Sequence, residues 1–286
     1  MSNKFPVINK HTAMAPGRLA FAIAAMVLGL CATGASAAEK FIILQSTTST
    51  QNSGLLDAIL PEFTKTTGIA VRVVAVGTGQ AIKNARNGDG DVLLVHSRAA
   101  EEAFVAQGWG IERHDVMFND FVLAGPRSDP VGIGGITDIT DALAKIAEAQ
   151  ATFISRGDDS GTHKKERSLW AQAGVNVAAQ SGAWYRETGS GMGASLNMAA
   201  ASDGYLLTDR ATWLAFKNRG GLKILVEGDK RLFNPYGVIL VNRARHARVK
   251  AQAGQKFIDW LTGPEGQAAI AGFRIDNRQL FFPNAK

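Results

Sequence analysis

The chain has 286 residues, one cysteine and a formal net charge of +6. The lone Cys31 excludes an intramolecular disulfide and a cysteine-built metal or redox centre. Nor do the basic residues mark a nucleic-acid surface, because the only clusters, Lys164-Lys165-Glu166-Arg167 and Arg243-Ala244-Arg245-His246-Ala247-Arg248, read as solvated faces.

Residues 1–37 read as an export leader. Lys4, Lys10 and Arg18 stand without an acidic residue, an apolar run follows from Leu19 to Leu30, and Ala35-Ser36-Ala37 supplies an A-x-A exit. About a dozen apolar residues fall short of the roughly 20 that a spanning helix needs. Leu28-Gly29-Leu30-Cys31 resembles a lipobox, but the bulky Leu30 fits it poorly, so cleavage near Ala37 is favoured over lipid attachment at Cys31. Cleavage removes three cations and no anion, which takes the charge from +6 to +3 and leaves a chain without a thiol. The remainder suffices for one large domain or two lobes.

Along residues 38–286, short β-branched and apolar runs alternate with helical patterns. Phe41–Leu44 reads as a strand, and apolar positions 55, 56, 59, 60 and 63 form a helical stripe. Strand 69–76 and helix 79–87 follow, then strand 91–95 and a helix around 98–107. The pattern continues with strand 121–124, a Pro/Gly-rich loop from Gly125 to Gly135, helix 139–149, strand 152–155 and a helix from about Thr162 to Ala173. Later strands are expected at 205–207, 223–226 and 238–241, before a final helix 251–261 and a polar tail. Such alternation predicts an α/β fold with mixed sheets flanked by helices. Two crossovers suit lobe I at 38–122 plus 236–286 and lobe II at 123–235.

In open α/β sheets, ligands sit beyond the carboxyl ends of strands, at helix N-termini. This chain places hydroxyls and small residues there. Gln45-Ser46-Thr47-Thr48-Ser49-Thr50 follows the first strand, Gly77-Thr78-Gly79 the second and His96-Ser97 the third. Arg156-Gly157-Asp158-Asp159-Ser160-Gly161-Thr162 opens a later helix. Backbone N–H groups at a helix start form an anion site, and Arg156 adds a permanent charge with forked donors. A hydroxyl run also serves as a plain N-cap, and Gly189–Gly193 reads as a flexible turn. No dinucleotide fingerprint or G-x-x-x-x-G-K-[ST] loop occurs.

Several stretches resemble the periplasmic tungstate-binding proteins of ABC transporters. They include Thr47-Thr48-Ser49-Thr50 with Ser53-Gly54-Leu55-Leu56, Val74 to Gln80, Asp91 to His96, Asn119 to Val122 and Ser155 to Lys165. Glu187 to Gly193, Leu207 to Arg210, Glu227-Gly228-Asp229, Phe233 to Gly237 and Phe257 to Gln267 complete the match. The resemblance implies a two-lobed type II periplasmic-binding-protein fold with a ligand cleft between lobes. It also implies oxyanion contacts from the first-strand hydroxyl motif and the Arg-x-x-x-Ser-Gly-Thr turn. Where that family's first loop usually reads Thr-Thr-Thr-Ser, this chain has Ser46-Thr47-Thr48-Ser49 and so keeps a hydroxyl at 46.

On that basis Thr47, Thr48, Ser49, Thr78 and Ser97 are expected to contribute from lobe I, with Thr78 and Ser97 chosen by strand position. Arg156, Ser160, Gly161 through its backbone, and Thr162 are expected from lobe II. The expected cargo is tungstate, with molybdate chemically close, delivered in the periplasm by a monomer to a permease and its ATPase complex. No cofactor, resident metal or nucleic acid is expected. Phosphate and sulfate are the alternative ligands. A protonated phosphate wants a carboxylate acceptor, and His96-Ser97 stands where a phosphate site would place an aspartate, although Asp158 and Asp159 remain. Catalysis is not expected: Gly157-Asp158-Asp159-Ser160-Gly161 is not a G-x-S-x-G elbow. No histidine has a second histidine at i+3 or i+4, and His96 and His163 read as polar lining or surface.

Overall fold

The computed structural model describes residues 40–286; the leader, its cleavage site and Cys31 lie outside the described residues. Strand β1 (Phe41–Thr47) runs into the short α1 (Thr48–Asn52), then α2 (Leu55–Thr67), β2 (Ala70–Val76), α3 (Thr78–Asn87), β3 (Val92–Val95) and α4 (Arg98–Ala106). The long β4 (Gly110–Pro126) precedes α5 (Ile139–Glu148), β5 (Phe153–Ser155), α6 (Gly161–Gln172), β6 (Tyr185–Glu187), α7 (Met192–Ser202), β7 (Leu206–Asp209) and α8 (Arg210–Ala215). The chain closes with β8 (Leu222–Val226), β9 (Phe233–Val241), α9 (Ala251–Thr262), α10 (Pro264–Gly272) and three short strands, β10 (Arg274–Ile275), β11 (Arg278–Gln279) and β12 (Phe282–Pro283).

The sheet is mixed. β2 and β3 flank β1 in parallel, β9 pairs antiparallel with β3 and with β4, and β12 adds to the far edge of β4. The first part of β4 pairs with β9, from Gly110↔Val241 to Asp120↔Phe233, whereas its end pairs with β7 and β8. One strand thus belongs to two strand groups. β5 and β6 pair in parallel, and a Phe153↔Tyr205 bridge ties β5 beside the start of β7.

Apolar spacing explains the cores. Leu55, Leu56, Ile59, Leu60 and Phe63 of α2 are all buried, as the helical stripe requires. Phe63 meets Phe257 of α9 edge-on at 5.2 Å between ring centroids. Losing such a buried ring would cost about 3–5 kcal/mol. A separate core gathers Ile139, Leu143 and Ile146 of α5 with Leu169 and Trp170 of α6, around Phe153 and Tyr185. Asp138 starts α5 by accepting the N–H of Thr140 at 2.8 Å.

Three expectations change. The predicted strand 121–124 belongs to a 17-residue strand, whose charged stretch lies between two register shifts against β9 and is held by Arg113 donating to Glu101 and to Asp115, each at 2.6 Å. Residues 192–202, for which no element was expected and whose first two belong to the stretch read as a flexible turn, form α7. The polar tail folds into α10 and the last strands. No helix among the described residues is long and apolar enough to cross a membrane.

Candidate anion-binding site

Because β1, β2 and β3 run parallel, their carboxyl ends lie at one edge, where α1, α3 and α4 begin. Thr47 is both the last residue of β1 and the N-cap of α1, and its Oγ1 accepts the Thr50 N–H at 3.2 Å. The same oxygen lies 3.0 Å from Ser49 Oγ and 2.7 Å from Thr50 Oγ1. The cap and ligand readings of this hydroxyl run are therefore compatible. Thr47 spends its hydroxyl on the turn, while the N–H groups of Thr48 and Ser49 have no acceptor among the described residues. Ser46 is fully buried and donates to Leu94 O at 3.0 Å, so it ties β1 to β3 rather than facing a ligand.

His96, just past β3, connects this turn to the rest. Its Nδ1 lies 3.0 Å from Asn234 Oδ1, which can only accept, and its Nε2 lies 3.1 Å from Ser49 Oγ. The ring stacks on Tyr236 at 4.9 Å. Burial, above all, depresses His96 to about 4, opposed by the Asn234 bond and aided by the Arg156 charge. The imidazole is thus neutral at pH 7: Nδ1–H donates to Asn234 and Nε2 accepts the Ser49 hydroxyl proton.

The second turn follows β5. Ser160 caps α6, its Oγ accepting the His163 N–H at 3.2 Å. Arg156 is buried, donating to Asp158 Oδ2 from Nε at 3.1 Å and from Nη2 at 2.5 Å. Nη1 is left without a hydrogen bond among the described residues. Thr162 is fully buried and its Oγ1 has no partner; its N–H is likewise uncommitted in the first turn of α6. An unpaired buried hydroxyl costs about 1–3 kcal/mol, which a bound acceptor would recover.

The two turns meet. Gly161 N–H donates to Thr78 Oγ1 at 2.9 Å. A Cβ on Gly161 would lie 2.9 Å from His96 Cε1, so glycine is what lets α6 approach this closely. The structure therefore gathers Thr47, Thr48, Ser49, Thr78, Arg156, Ser160, Gly161 and Thr162 around His96. Ser97 stands apart: its N–H donates to Glu101 Oε1 at 2.6 Å, so a carboxylate already occupies the start of α4.

Nearby carboxylates are engaged. Asp158 Oδ1 accepts the Ser160 N–H at 3.2 Å while Oδ2 holds Arg156. Asp159 is exposed and pairs with Lys164. Buried Asp209 caps α8, taking the N–H and hydroxyl of Thr212 at 2.8 and 2.6 Å. Burial raises its pKa, against the Thr212 bonds and the Arg156 charge. No group of three or more His, Cys, Asp or Glu among the described residues could hold a metal ion.

A family profile described as a PBP superfamily domain, for periplasmic binding proteins, matches residues 32–265. The tungstate-binding protein TupA of Peptoclostridium acidaminophilum is 47% identical over 283 residues, covering 93% of this chain and 98% of the relative. The chain belongs to the tungstate-binding protein family. Among solved structures, TupA from Desulfovibrio alaskensis G20 is 48% identical with a TM-score of 0.75, over 86% of this chain and all of that one. The tungstate ABC transporter structure from Geobacter sulfurreducens gives 49% and 0.75, over 82% of this chain and 99% of that one. The fold is accordingly the two-lobed type II periplasmic-binding-protein architecture with a cleft between its lobes.

Within this tungstate-binding family member, sequence reasoning passed over residues that brace the site. Asn234 donates from Nδ2 to Asn119 Oδ1 at 2.6 Å and so fixes which of its atoms faces His96. Thr188 Oγ1 and the Ser190 N–H both donate to Arg156 O at 3.2 Å, so the turn read as flexible anchors the Arg156 backbone. Asn119, Thr188 and Asn234 lie in stretches that carried the family resemblance, and that was the available signal.

Proposed function

We propose that this protein captures tungstate, or its close analogue molybdate, in the cleft and delivers it to the permease of an ABC transporter. The observation that carries the reading is the set of uncommitted donors at two touching turns: the Thr48 and Ser49 N–H groups on one side, Arg156 Nη1 and the N–H and hydroxyl of Thr162 on the other. The Thr78 hydroxyl proton adds a sixth. Tungstate at neutral pH carries two charges and no proton, so it only accepts hydrogen bonds. Nanomolar binding requires about 12 kcal/mol, and hydrogen bonds to a charged partner contribute roughly 1.5–3 kcal/mol each. Six donors cover that order of magnitude. Contacts from both lobes, taken at 38–122 plus 236–286 and at 123–235, would stabilise the closed form, which the permease then recognises.

Selectivity against phosphate follows from the engaged carboxylates. A protonated phosphate oxygen would need an acceptor, and Asp158, Asp209 and the Nε2 of His96 already have donors. Ser97 is left out of the ligand set because Glu101 holds its N–H. The protein works as a monomer after export behind the 1–37 leader, and it binds without turning substrate over. Calorimetric competition among tungstate, molybdate, sulfate and phosphate on the leaderless chain tests this. Tungstate is expected to bind tightly and phosphate weakly; preference for phosphate, or saturable phosphoester hydrolysis lost in Ser160→Ala, would overturn it.

A further inference from the structure

Beside the donor cluster lies a cavity of about 650 Å³ with a different chemistry. His96 and Gly161, which join the two donor turns, also form part of its wall. Its charged residues are all cations, Arg98 at the start of α4, Lys164 and Lys165 on α6, and Lys230 just before β9, set among apolar Phe121, Phe233 and Pro235. No Asp or Glu lines it. Lys164 and Lys165, which the sequence pattern assigns to a solvated face, are partly buried here.

Two of these cations are neutralised locally, Arg98 by Glu102 at 2.8 Å and Lys164 by Asp159. Lys165 and Lys230 form no ion pair among the described residues. Asp229, the acidic group whose charge reaches Lys165, is held by Arg231 at 2.5 Å. Burial works against the charged form of Lys165. An ammonium kept partly desolvated without a partner directs its field into the adjoining space, and a cleft lined by one sign of charge concentrates counter-ions. At about 30 Å³ per water, the cavity has room for an oxyanion with a hydration shell.

We infer that this cavity is an outer binding site for divalent tetrahedral oxyanions, where Lys165 and Lys230 hold the hydrated anion before it passes His96 and Gly161 to the donor cluster. The inference rests on the oxyanion-capture reading of that cluster. The lysines act on arrival and not on the bound state, so association and dissociation rates separate the two roles.

The test is stopped-flow tungstate binding to the leaderless chain and to the double variant Lys165→Gln/Lys230→Gln, with Lys165→Arg/Lys230→Arg as the charge-retaining control. At ionic strength near 0.01 M the neutral variant is expected to associate about tenfold more slowly with an unchanged dissociation rate. The gap should close toward 1 M, where the Debye length falls to about 3 Å; the arginine control should match wild type. Wild-type association in the neutral variant, or faster dissociation alone, would overturn the outer site while leaving the capture reading intact. Absence of tungstate binding by the wild-type chain would instead overturn the capture reading, and the outer site with it.

Discussion

Thr78 Oγ1 takes the Gly161 N–H at 2.9 Å, joining the first turn of α3 to the first turn of α6. That bond spans 83 residues of sequence and sets how closely the two donor turns can approach. The space at Gly161 is what permits this approach.

Gly161→Ala is therefore expected to weaken tungstate binding at least about tenfold, or 1.4 kcal/mol, without removing a donor. Its Cβ would sit 2.9 Å from His96 Cε1 and 3.0 Å from Thr78 Oγ1, both in buried residues. Gly79→Ala is the contrast. Its new carbon meets the exposed Asp159 carboxylate, the far end of a flexible side chain that can shift together with its partner Lys164. Calorimetry should place Gly79→Ala within about twofold of wild type; equal losses in both variants would refute the argument.

Arg156→Gln should reduce tungstate affinity by about a hundredfold or more, since hydrogen bonds to a charged partner contribute about 1.5–3 kcal/mol each. Asp158 would be left without its cation, so the variant is best made with Asp158→Asn. Unchanged affinity in the double variant removes Arg156 from the ligand set.

Thr162→Val should act in opposite directions on the empty and loaded protein. It replaces an unpartnered buried hydroxyl with a methyl group, so the ligand-free Tm should rise by about 2–4 °C, corresponding to about 1 kcal/mol. The further rise on adding tungstate should shrink. Thermal unfolding with and without tungstate measures both, and a fully retained ligand shift would exclude Thr162 as a contact.

Two buried groups should give stability opposite dependences on pH. Burial, with weaker opposition from the Tyr185 and Ser155 hydrogen bonds, raises Glu166 to about 8 from 4.5. The native state then holds a proton that the unfolded state releases, so this contribution is full below about pH 4.5 and is lost as pH rises toward 8. His96, lowered to about 4 from 6.5, contributes above pH 6.5 and loses that contribution as pH falls toward 4. Each slope approaches 1.4 kcal/mol per pH unit inside its window. In urea unfolding series, Glu166→Gln should reduce the alkaline loss, leaving the part from Glu101, which burial raises to about 7, and His96→Gln should reduce the acid loss. An unchanged alkaline slope in Glu166→Gln would assign it to other groups.

What the sequence revealed depended on local pattern. The α2 stripe and the helix at 139–149 were readable because burial periodicity acts over a few residues. The length of β4 was not, since Glu112-Arg113-His114-Asp115 breaks the apolar pattern and its compensation by Glu101 is a tertiary contact. At the site, strand-end reasoning picked out two turns, Thr47–Ser49 and Arg156–Thr162, that the fold brings together. For Ser97 nothing local indicates that a carboxylate four residues on folds back onto its N–H. His96 was read as polar lining or surface, but its neutral state comes from burial and its tautomer is fixed by Asn234, 138 residues away.

The position of β9 also bears on how the chain is made. It sits between β3 and β4, so until residues 233–241 are made, the paired strands β1, β2 and β3 cannot be joined to β4 and its partners β7 and β8. Pairing over such separations is slow, and open strand edges keep the nascent chain from settling. The ladder that unites the two strand groups therefore forms only once residues 233–241 are available.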